Sequence, residues 1–344
     1  PDTRFANTSG VTGMQNVTII GLGLIGGSIG LALRRWSAAN GNALHVTGFD
    51  DDMGKQSQAK KMGAVDDTEW SLANAVEKAD LVIVATPVGS MREVFENIGD
   101  KLRNGAIVTD TGSTKTDVLA WAKTLPDHVN FIGGHPMAGK AESLEAADAD
   151  LFAGATWVVC PSVTASESSI KNVLGIIAAT NAEAFFVDPV EHDSYVAGVS
   201  HLPFLVAATL VDAVAADASW RDMKSLAASG FKDTTRLALG SPTMHRDILM
   251  TNGEAVVRWI DQMIESLQRS RALLTGDKEA ASDELLTFLE RAQDERAKIE
   301  FKQSRASEQK SEEDGLATQS MSDQVSRMFL GGFGRKRKDP KPPR

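Results

Sequence analysis

At 344 residues the chain is longer than a typical single domain, so its length favours two domains. Apolar residues make up 42% and charged residues 24% of the sequence, which is typical of a globular protein with a sizeable core. The 36 basic and 46 acidic residues give a net charge of −10, which argues against a general nucleic-acid-binding protein.

Other classes of protein and site are also disfavoured. The sequence has no continuous run of about 18 apolar residues, so we expect no membrane span. Its one cysteine, Cys160, cannot form an internal disulfide, and no cysteine and histidine spacing matches a zinc site, so we expect no metal. The polar residues 1–13 lack the apolar stretch of a signal peptide, which favours a cytoplasmic location.

The first half of the chain alternates between two kinds of segment. Residues 1–15 show no periodicity and are predicted to be a flexible leader. From 16 to 188, short β-rich runs alternate with helix-like stretches, which predicts a Rossmann-type α/β domain with a mainly parallel sheet. Continuous apolar runs of this length are typical of strands buried on both faces. The predicted strands are 17–20, 45–49, 81–85, 106–109, 130–132, 156–159 and 184–187.

A helical domain is predicted at 189–303, because the strand pattern stops after Pro189. Pro203 lies inside its first predicted helix and predicts a kink or break there. By analogy between folds, a helical domain that follows a nucleotide-binding domain closes the cleft and forms a homodimer. The predicted helices are 190–218, 220–229, 243–275 and 277–303.

The last segment, 304–344, is predicted to be a disordered tail. It is rich in Gln, Ser, Glu and Lys and then becomes glycine-rich and basic. The simplest interpretation of the basic end, 331–344, is a solvated run of charge. The alternative is an electrostatic contact with lipid, nucleic acid or another protein.

A glycine-rich turn follows the first predicted strand. The motif Gly21-Leu-Gly23-Leu-Ile-Gly26 has the spacing of a dinucleotide-binding turn and opens the next predicted helix. Gly21 permits the tight turn, Gly23 lets the backbone approach a pyrophosphate, and Gly26 lets helix and strand pack closely. Leu24 and Ile25 begin the helix, whose N-terminus would face the anion.

An acidic residue at the end of the second predicted strand indicates which dinucleotide binds. Asp50 lies 24 residues after the last glycine of the motif, close to the expected spacing of about 20. Its carboxylate would accept hydrogen bonds from the ribose and repel a 2′-phosphate, which favours NAD over NADP; Asp51 and Asp52 are adjacent candidates. Thr86 and Pro87 follow the third predicted strand and would lie beside the cofactor, unless they form only an ordinary turn.

Two further loops would lie at the carboxyl ends of strands, where open α/β sheets bind ligands. Residues 110–115 (Asp-Thr-Gly-Ser-Thr-Lys) follow the fourth predicted strand, and residues 133–139 (Gly-Gly-His-Pro-Met-Ala-Gly) follow the fifth. A histidine among glycines on such a loop can present its imidazole to the cleft, so His135 is the candidate catalytic residue. Ser113 would orient the imidazole or the substrate, or serve only as a turn or cap hydroxyl. Lys115 is either functional or a charge at a helix terminus or the surface.

Two more motifs lie in the predicted helical domain, Ser-His-Leu-Pro at 200–203 and Gly-Phe-Lys-Asp-Thr-Thr-Arg at 230–236. With the glycine-rich turn, Asp50 and the two loops, they make the chain resemble the TyrA family, the prephenate and arogenate dehydrogenases of tyrosine biosynthesis. The resemblance covers roughly residues 16–300. The glycine-rich turn is shared by many folds, whereas the ordered set of His-Pro-Met-Ala-Gly and the two helical-domain motifs is specific.

The resemblance implies an NAD-dependent oxidative decarboxylation of a cyclohexadienol. Hydride leaves the ring carbon that bears the hydroxyl and passes to the nicotinamide. Carbon dioxide leaves the opposite ring carbon, and the ring becomes aromatic. By this resemblance His135 hydrogen-bonds the ring hydroxyl and accepts its proton, a role that suits neutral histidine because its usual pKa lies near physiological pH.

For the carboxylates of the substrate, the resemblance implies a cationic pocket in the helical domain. Arg236 is the predicted anchor, because a planar guanidinium can bind a carboxylate through two hydrogen bonds; the alternative is a structural ion pair with Asp233. His201 would join the substrate pocket, or be only a hydrogen-bonded helix residue. Lys232 is assigned a gating or ion-pair role.

Three departures from the family pattern bear on the substrate. After residue 139 the usual Ser/Thr-Glu-x-Ser-Gly stretch appears shifted and without its glycine. Phe204 stands where the family often has a second histidine, and His245 stands where tryptophan is common. These changes leave the reaction class intact and leave the choice between prephenate and arogenate open.

The expected function is therefore that of a prephenate dehydrogenase giving 4-hydroxyphenylpyruvate, with an arogenate dehydrogenase giving tyrosine as the alternative. A 3-hydroxyacid dehydrogenase would share the glycine-rich turn but would place a catalytic lysine on the helical domain. A non-catalytic NAD-binding sensor would keep the turn and lose the chemistry residues. The predicted partners are the small-molecule substrate and a second copy of the chain, with neither nucleic acid nor membrane.

Overall fold

The computed structural model describes residues 14–139 and 142–299. The first part is an eight-stranded sheet with helices packed on both faces. Its strands are β1 (Asn16–Ile20), β2 (His45–Phe49), β3 (Asp67–Thr68), β4 (Leu81–Val84), β5 (Ile107–Asp110), β6 (Asn130–Pro136), β7 (Thr156–Pro161) and β8 (Glu183–Phe186). Its helices are α1 (Leu24–Ala39), α2 (Met53–Lys61), α3 (Leu72–Glu77), α4 (Val88–Ile98), α5 (Thr116–Trp121) and α6 (Glu167–Ala179).

The strand order is β3-β2-β1-β4-β5-β6-β7-β8. Strands β1 to β6 are parallel to one another, β7 is antiparallel to β6, and β8 is parallel to β7. The first six strands have the order of a dinucleotide-binding domain, so the predicted Rossmann-type, mainly parallel sheet is confirmed. The order reverses between β1 and β4, and the crevice beyond their carboxyl ends is where such sheets bind ligands.

Side chains alternate between the two faces of the sheet and build two apolar clusters. On β1, Val17 and Ile19 pack with α1 and α6, whereas Ile20 packs with α4 on the opposite face. The second cluster also includes Phe204 and Ile248 from the helical part of the chain. The two parts of the protein therefore share buried apolar surface, and this contact fixes the helical part against the carboxyl-end crevice.

The strand predictions were wrong at two places in the sheet. β3 was not predicted, because its two residues carry no apolar pattern and are held by backbone pairing with β2. β8 was expected to be buried on both faces, but Phe185 and Phe186 are 51% and 52% exposed. The reason is that β8 is the edge strand of the sheet.

The helical domain begins at Pro189, where Asp188 caps the first turn by accepting hydrogen bonds from the backbone of Val190 and Glu191. A π-helical turn at Ala197–His201 interrupts the first long helix directly before Pro203, so the predicted break is confirmed. The helices are α7 (Pro189–Val196), α8 (Leu202–Ala215), α9 (Trp220–Met223), α10 (Ser229–Thr235), α11 (Pro242–Thr251), α12 (Gly253–Thr275) and α13 (Lys278–Ala297).

The prediction of one helix over 243–275 was wrong, because Asn252 leaves helical geometry with φ −134° and separates α11 from α12. Its side chain is instead hydrogen-bonded to the neighbouring helical segment. Met14, expected in the flexible leader, is buried in the first apolar cluster. The rest of the predicted leader except Gln15, and the predicted tail at 304–344, lie outside the described residues.

Within the described residues, one helical stretch, Pro189–Ala215, is long and apolar enough to cross a membrane by length and composition alone. No span was expected from the sequence, because it has no continuous run of about 18 apolar residues. In this structure the stretch carries the buried polar side chains of His192, Asp193 and His201. Since those side chains are hydrogen-bonded to the Rossmann-type domain and to Asn252, we assign the stretch to the helical domain of the folded protein.

Candidate active site

The glycine-rich turn between β1 and α1 has the geometry that a dinucleotide requires. Gly21 has φ +95°, and a Cβ there would lie 2.7 Å from the carbonyl oxygen of Ala85. A Cβ on Gly26 would lie 1.9 Å from the carbonyl oxygen of Gly21, so the close packing of helix on turn needs glycine. A Cβ on Gly23, in contrast, would meet nothing within 4 Å. Gly23 therefore faces open space, where a pyrophosphate could approach the backbone.

The N-terminus of α1 is available to an anion. Gly23 precedes the helix and offers no side-chain cap, and the first turn holds no acidic residue. The backbone N–H groups of Leu24 and Ile25 belong to the first turn of the helix and have no acceptor within it. They therefore point out of the N-terminus, at the positive end of the helix dipole. This turn fits the pyrophosphate of NAD.

Asp50 and Thr86 lie on either side of this turn. The Asp50 carboxylate accepts hydrogen bonds from the backbone N–H of Leu22 at 2.8 Å and of Asp52 at 3.0 Å. A carboxylate has about four acceptor positions, so Asp50 retains capacity for ribose hydroxyls. Thr86 Oγ1 is buried with no hydrogen-bond partner among the described residues, and Pro87 precedes the first turn of α4. A buried hydroxyl without a partner at the crevice is consistent with a hydrogen bond to a bound dinucleotide.

His135 lies on β6, whereas the sequence pattern predicted a loop at this position. The strand continues to Pro136 because it pairs with β7, which places His135 opposite Val158. Glycine before it is needed for close packing, since a Cβ on Gly134 would lie 2.5 Å from the carbonyl oxygen of Asp110. The imidazole is therefore held by a strand at the carboxyl edge of the sheet, with 9% of the residue exposed.

Lys115 is not a surface charge, so that part of the alternative is wrong; it directly precedes Thr116, the first residue of α5. Its side chain and that of Asp110 are fully buried, and the two form an ion pair. Lys115 Nζ also donates to the carbonyl oxygen of Gly134 at 2.8 Å, and the Asp110 carboxylate accepts from the backbone N–H of Gly134 at 3.0 Å. Because a buried charge left alone is costly, this pair ties the loop after β5 to the strand that carries His135.

The imidazole of His135 is the first member of a buried hydrogen-bonded chain. Its Nδ1 lies 2.9 Å from Nε2 of His192, and the Nδ1 of His192 lies 2.8 Å from Oδ1 of Asp193. The Asp193 carboxylate also accepts from the backbone N–H of Lys115 at 2.7 Å and of Thr116 at 2.8 Å. Asp193 thereby caps α5 and joins the helical domain to the Rossmann-type domain.

The electrostatic environment keeps His135 neutral. Burial, together with His192, Lys115 and His201, holds the pKa of His135 well below its usual value of 6.5. Burial would raise the pKa of Asp193, but hydrogen bonds from His192, Thr116 and Lys115 hold it below its usual value. The site therefore contains a neutral imidazole and an ionised carboxylate at physiological pH.

His201 is buried at the end of the π-helical turn, where Asn252 Nδ2 donates to its Nδ1 at 3.1 Å. The same amide group donates to the carbonyl oxygen of Asp193 at 2.7 Å. Nε2 of His201 is buried with no hydrogen-bond partner among the described residues. Burial lowers the pKa of His201 to about 4, although the Asp193 carboxylate opposes this shift. A neutral imidazole with a free nitrogen supports the predicted place in a substrate pocket.

The departures at Phe204 and His245 contact each other. Their rings stack with centroids 4.1 Å apart and an interplanar angle of 2°. Phe204 also lies 6.0 Å, centroid to centroid, from His201. The aromatic pair therefore forms one wall beside His201, and the two substitutions act together on the shape of that wall.

The other predicted site residues, Arg236, Lys232 and Ser113, are not hydrogen-bonded to His135 in the described part of the chain. Arg236 begins a 3-10 turn at Arg236–Leu239, is exposed, and forms no ion pair with Asp233 or any other described residue. Lys232 is likewise exposed, on α10. Ser113 is partly buried, and within residues 14–139 and 142–299 no side-chain hydrogen bond joins it to His135. The hydrogen bond that orients the His135 ring joins it to His192.

Sequence reasoning missed His192, Asp193 and Asn252. A signal for the first two was present, since an adjacent His-Asp pair interrupts a largely apolar helical segment nine residues before His201. Asn252 had no such signal, because it lies inside what reads as one continuous helix.

Comparison with known proteins identifies the family. The sequence model of the prephenate dehydrogenase nucleotide-binding domain matches residues 29–186, and that of the prephenate dehydrogenase dimerization domain matches residues 188–291. A prephenate dehydrogenase from Bacillus subtilis is 32% identical over 293 residues, which cover 84% of this chain and 77% of that protein. A cyclohexadienyl dehydrogenase from Zymomonas mobilis is 27% identical over 77% of this chain and 90% of its own length.

Solved structures agree with the sequence comparison. Prephenate dehydrogenase from A. aeolicus, in complex with hydroxyphenyl propionate and NAD+, superposes with a TM-score of 0.77 at 31% identity, covering 83% of this chain and 99% of that one. Synechocystis arogenate dehydrogenase superposes with a TM-score of 0.69 at 27% identity, with the same coverage of 83% and 99%. Two domain matches that span most of the chain, and relatives of this identity and coverage, show that the chain belongs to the prephenate dehydrogenase family.

Proposed function

We propose that the protein is an NAD-dependent prephenate dehydrogenase that converts prephenate to 4-hydroxyphenylpyruvate. The observation that carries the proposal is the neutral, buried imidazole of His135 at the carboxyl edge of the sheet that holds the glycine-rich turn. Family membership supplies the reaction class, and the relative from A. aeolicus is described in complex with NAD+.

Different residues of this chain bind NAD, accept the proton and bind the substrate carboxylate. The turn at Gly21, Gly23 and Gly26 and the carboxylate of Asp50 hold NAD, which supplies the hydride acceptor. His135 accepts the proton of the ring hydroxyl through Nε2, since Nδ1 is used by His192. Arg236 binds a substrate carboxylate, and its lack of an ion pair in the described part of the chain leaves the guanidinium available.

The remaining predicted residues have supporting roles in the proposal. His201 contributes its free Nε2 to the substrate pocket. Ser113, which is partly buried on the loop after β5, orients the substrate, the second of its two predicted roles. Lys232, on the helix that leads to Arg236, gates the pocket or pairs with the second carboxylate.

Arogenate is the alternative substrate, and it is favoured by the similarity to the Synechocystis arogenate dehydrogenase. Arogenate has an amino group where prephenate has a keto group on the side chain. The stacked Phe204 and His245 form the wall beside His201, so they are the residues that we would exchange first to alter this choice.

We also propose that the protein is a homodimer joined through its helical domain, in the cytoplasm and without a nucleic-acid partner. The matching domain model is described as a dimerization domain. Apolar side chains are 45–75% exposed in a single protomer at Val199, Ile264, Leu267, Leu274, Leu286 and Leu289. Exposed apolar side chains of this size and number in one domain favour a protein–protein interface. A monomer mass in solution, measured by light scattering, would contradict the dimer.

The decisive experiment is formation of reduced nicotinamide by the purified protein. Prephenate and arogenate are offered in parallel with NAD, and NADP replaces NAD as the cofactor control. Turnover with prephenate and NAD supports the proposal, and turnover with arogenate alone moves the assignment to the amino substrate. Absence of turnover with both, in protein that still binds NAD, contradicts it and favours another dehydrogenase or a sensor.

A further inference from the structure

We propose that His192 and Asp193 are positioning residues that fix which nitrogen of His135 carries its proton, so that Nε2 of His135 is the acceptor that faces the substrate. This inference rests on the proposed function for the direction in which the proton moves. The hydrogen-bonded chain itself is a property of the protein alone, so it can be tested without turnover.

The direction of each hydrogen bond follows from the carboxylate at the end of the chain. An ionised carboxylate only accepts hydrogen bonds, so the contact of 2.8 Å between Asp193 Oδ1 and His192 Nδ1 requires the proton on that nitrogen. In the proposed arrangement this is the one N–H group of the His192 ring, so its Nε2 is an acceptor. The contact of 2.9 Å from this atom to Nδ1 of His135 then requires the proton on His135 Nδ1. The lone pair of neutral His135 is left on Nε2.

The Asp193 carboxylate is held in a fixed orientation. Its two oxygens accept from His192 and from the backbone N–H groups of Lys115 and Thr116, at 2.7 Å and 2.8 Å for the backbone contacts. Asn252 holds the backbone of Asp193 through a hydrogen bond of 2.7 Å to its carbonyl oxygen. His192 and Asp193 are buried, with 2% and 4% of each residue exposed, so water does not compete for these hydrogen bonds.

The other charged or titratable groups around His135 are engaged elsewhere. Lys115 Nζ is bound to the Asp110 carboxylate and to the carbonyl oxygen of Gly134. His201 accepts from Asn252 through Nδ1. Among the described residues, His192 is therefore the group that hydrogen-bonds the His135 ring. When His135 takes up a proton, its Nδ1–H group remains bonded to His192, and the Asp193 carboxylate behind it stabilises the positive charge.

The first test reads the protonation pattern directly in the enzyme without substrate. Histidine is labelled with 15N, and long-range 1H–15N correlation spectra distinguish a protonated ring nitrogen from an unprotonated one. The six histidines of the chain are few enough for assignment with single His→Gln variants. We expect the proton on Nδ1 in both His135 and His192. A proton on Nε2 of His135 would overturn the proposal whether or not the enzyme turns over prephenate.

The second test removes the acceptor and then restores it. In His192→Leu the partner of His135 Nδ1 is lost, and we expect kcat to fall by about 100-fold with little change in KM, because both ring nitrogens of His192 are engaged by His135 and Asp193 and neither is left to bind substrate. The acid limb of the pH profile of kcat/KM should also move to lower pH, since the imidazolium loses a stabilising acceptor. His192→Gln offers an amide oxygen near the same place and should recover most of kcat. A merely structural role would not produce this pattern.

The control variant changes a histidine that lies outside the His135, His192 and Asp193 contacts. His128→Gln removes a histidine of the Rossmann-type domain whose hydrogen bond is to the carbonyl oxygen of Leu102, and it should leave kcat unchanged. A kcat of His192→Leu within about twofold of the parent enzyme would overturn the proposal. If His192→Leu does not fold, the spectra of the parent enzyme and the kinetics of His192→Gln still decide. Failure of the proposed function is a separate result, seen as parent enzyme that turns over neither substrate.

Discussion

At the scale of single residues, His135 shows how burial can prepare a base. An exposed histidine is partly protonated near neutral pH, and protonated histidine cannot accept a proton. Burial lowers the pKa of His135 well below 6.5 and so keeps the ring unprotonated. The hydrogen bond to His192 keeps this buried ring oriented. The same shift weakens the base, so we expect catalysis to depend on both orientation and charge stabilisation.

The pH dependence of turnover follows from the direction of that shift. The free enzyme loses activity only as pH falls through the lowered pKa of His135, so kcat/KM should remain constant down to pH 6.5 and fall below it. His135→Asn should reduce kcat by about 100-fold or more while NAD binding, measured by fluorescence titration, is retained. A profile that already declines between pH 8 and 7 would contradict the assignment of His135 as a buried neutral base.

Arg236 is expected to act on binding and not on the chemical step. Loss of a hydrogen-bonded ion pair with a substrate carboxylate costs about 2 kcal/mol, so Arg236→Ala should raise KM by about 10- to 100-fold with little change in kcat. The matched control is Arg221→Ala, on α9 of the same domain and also exposed. Steady-state kinetics at saturating NAD measure both variants. An unchanged KM in Arg236→Ala would refute the role of carboxylate anchor.

At the scale of elements, the turn between β1 and α1 contains one glycine that packing requires, Gly26, and one that NAD binding requires, Gly23. Gly26→Ala places a Cβ against a backbone carbonyl and should lower the free energy of unfolding by about 1–3 kcal/mol. Gly23→Ala places its Cβ in open space, so stability should be unchanged while KM for NAD rises about tenfold. Urea unfolding and NAD kinetics on the same two proteins measure this contrast. Equal loss of stability in both variants would contradict it.

Much of the sheet could be predicted from sequence because parallel strands are buried on both faces and appear as continuous apolar runs. The break near Pro203 was also predictable, since proline lacks the N–H group that a helix interior needs. The strand that carries His135 was placed too short, because its last residues are glycines, a histidine and a proline with no apolar pattern. Their extended backbone is imposed by β7, which follows about 20 residues later.

At the scale of the whole molecule, the two domains meet in a polar network that no local pattern reveals. Asp193, on α7, accepts a hydrogen bond from the backbone of Lys115, and Asn252, between α11 and α12, contacts Asp193 and His201. Thr114 and Thr251 add a contact of 2.9 Å between the loop after β5 and the end of α11. A single sequence shows only residue types along the chain, so partners separated by 59 or 137 positions could not be paired.

This junction should make the folded protein sensitive to acid. His201 has a pKa of about 4 in the folded state against 6.5 for an unperturbed histidine. Between these values the unfolded chain binds more protons than the folded one, so stability falls as pH drops from 6.5 towards 4. Protonation of His201 at Nδ1 would also remove the acceptor that Asn252 uses. Over pH 7 to 5 this one residue should account for a loss of about 2 kcal/mol.

The measurement is urea unfolding at pH 7 and pH 5, at one fixed protomer concentration because the proposed dimer makes stability depend on concentration. His201→Gln cannot titrate, so we expect it to lose about 2 kcal/mol less than the parent protein between these two values. His128→Gln, in the Rossmann-type domain and outside the network, controls for the removal of one histidine. An equal loss in the parent protein and His201→Gln would show that the junction is not the acid-sensitive part of the molecule.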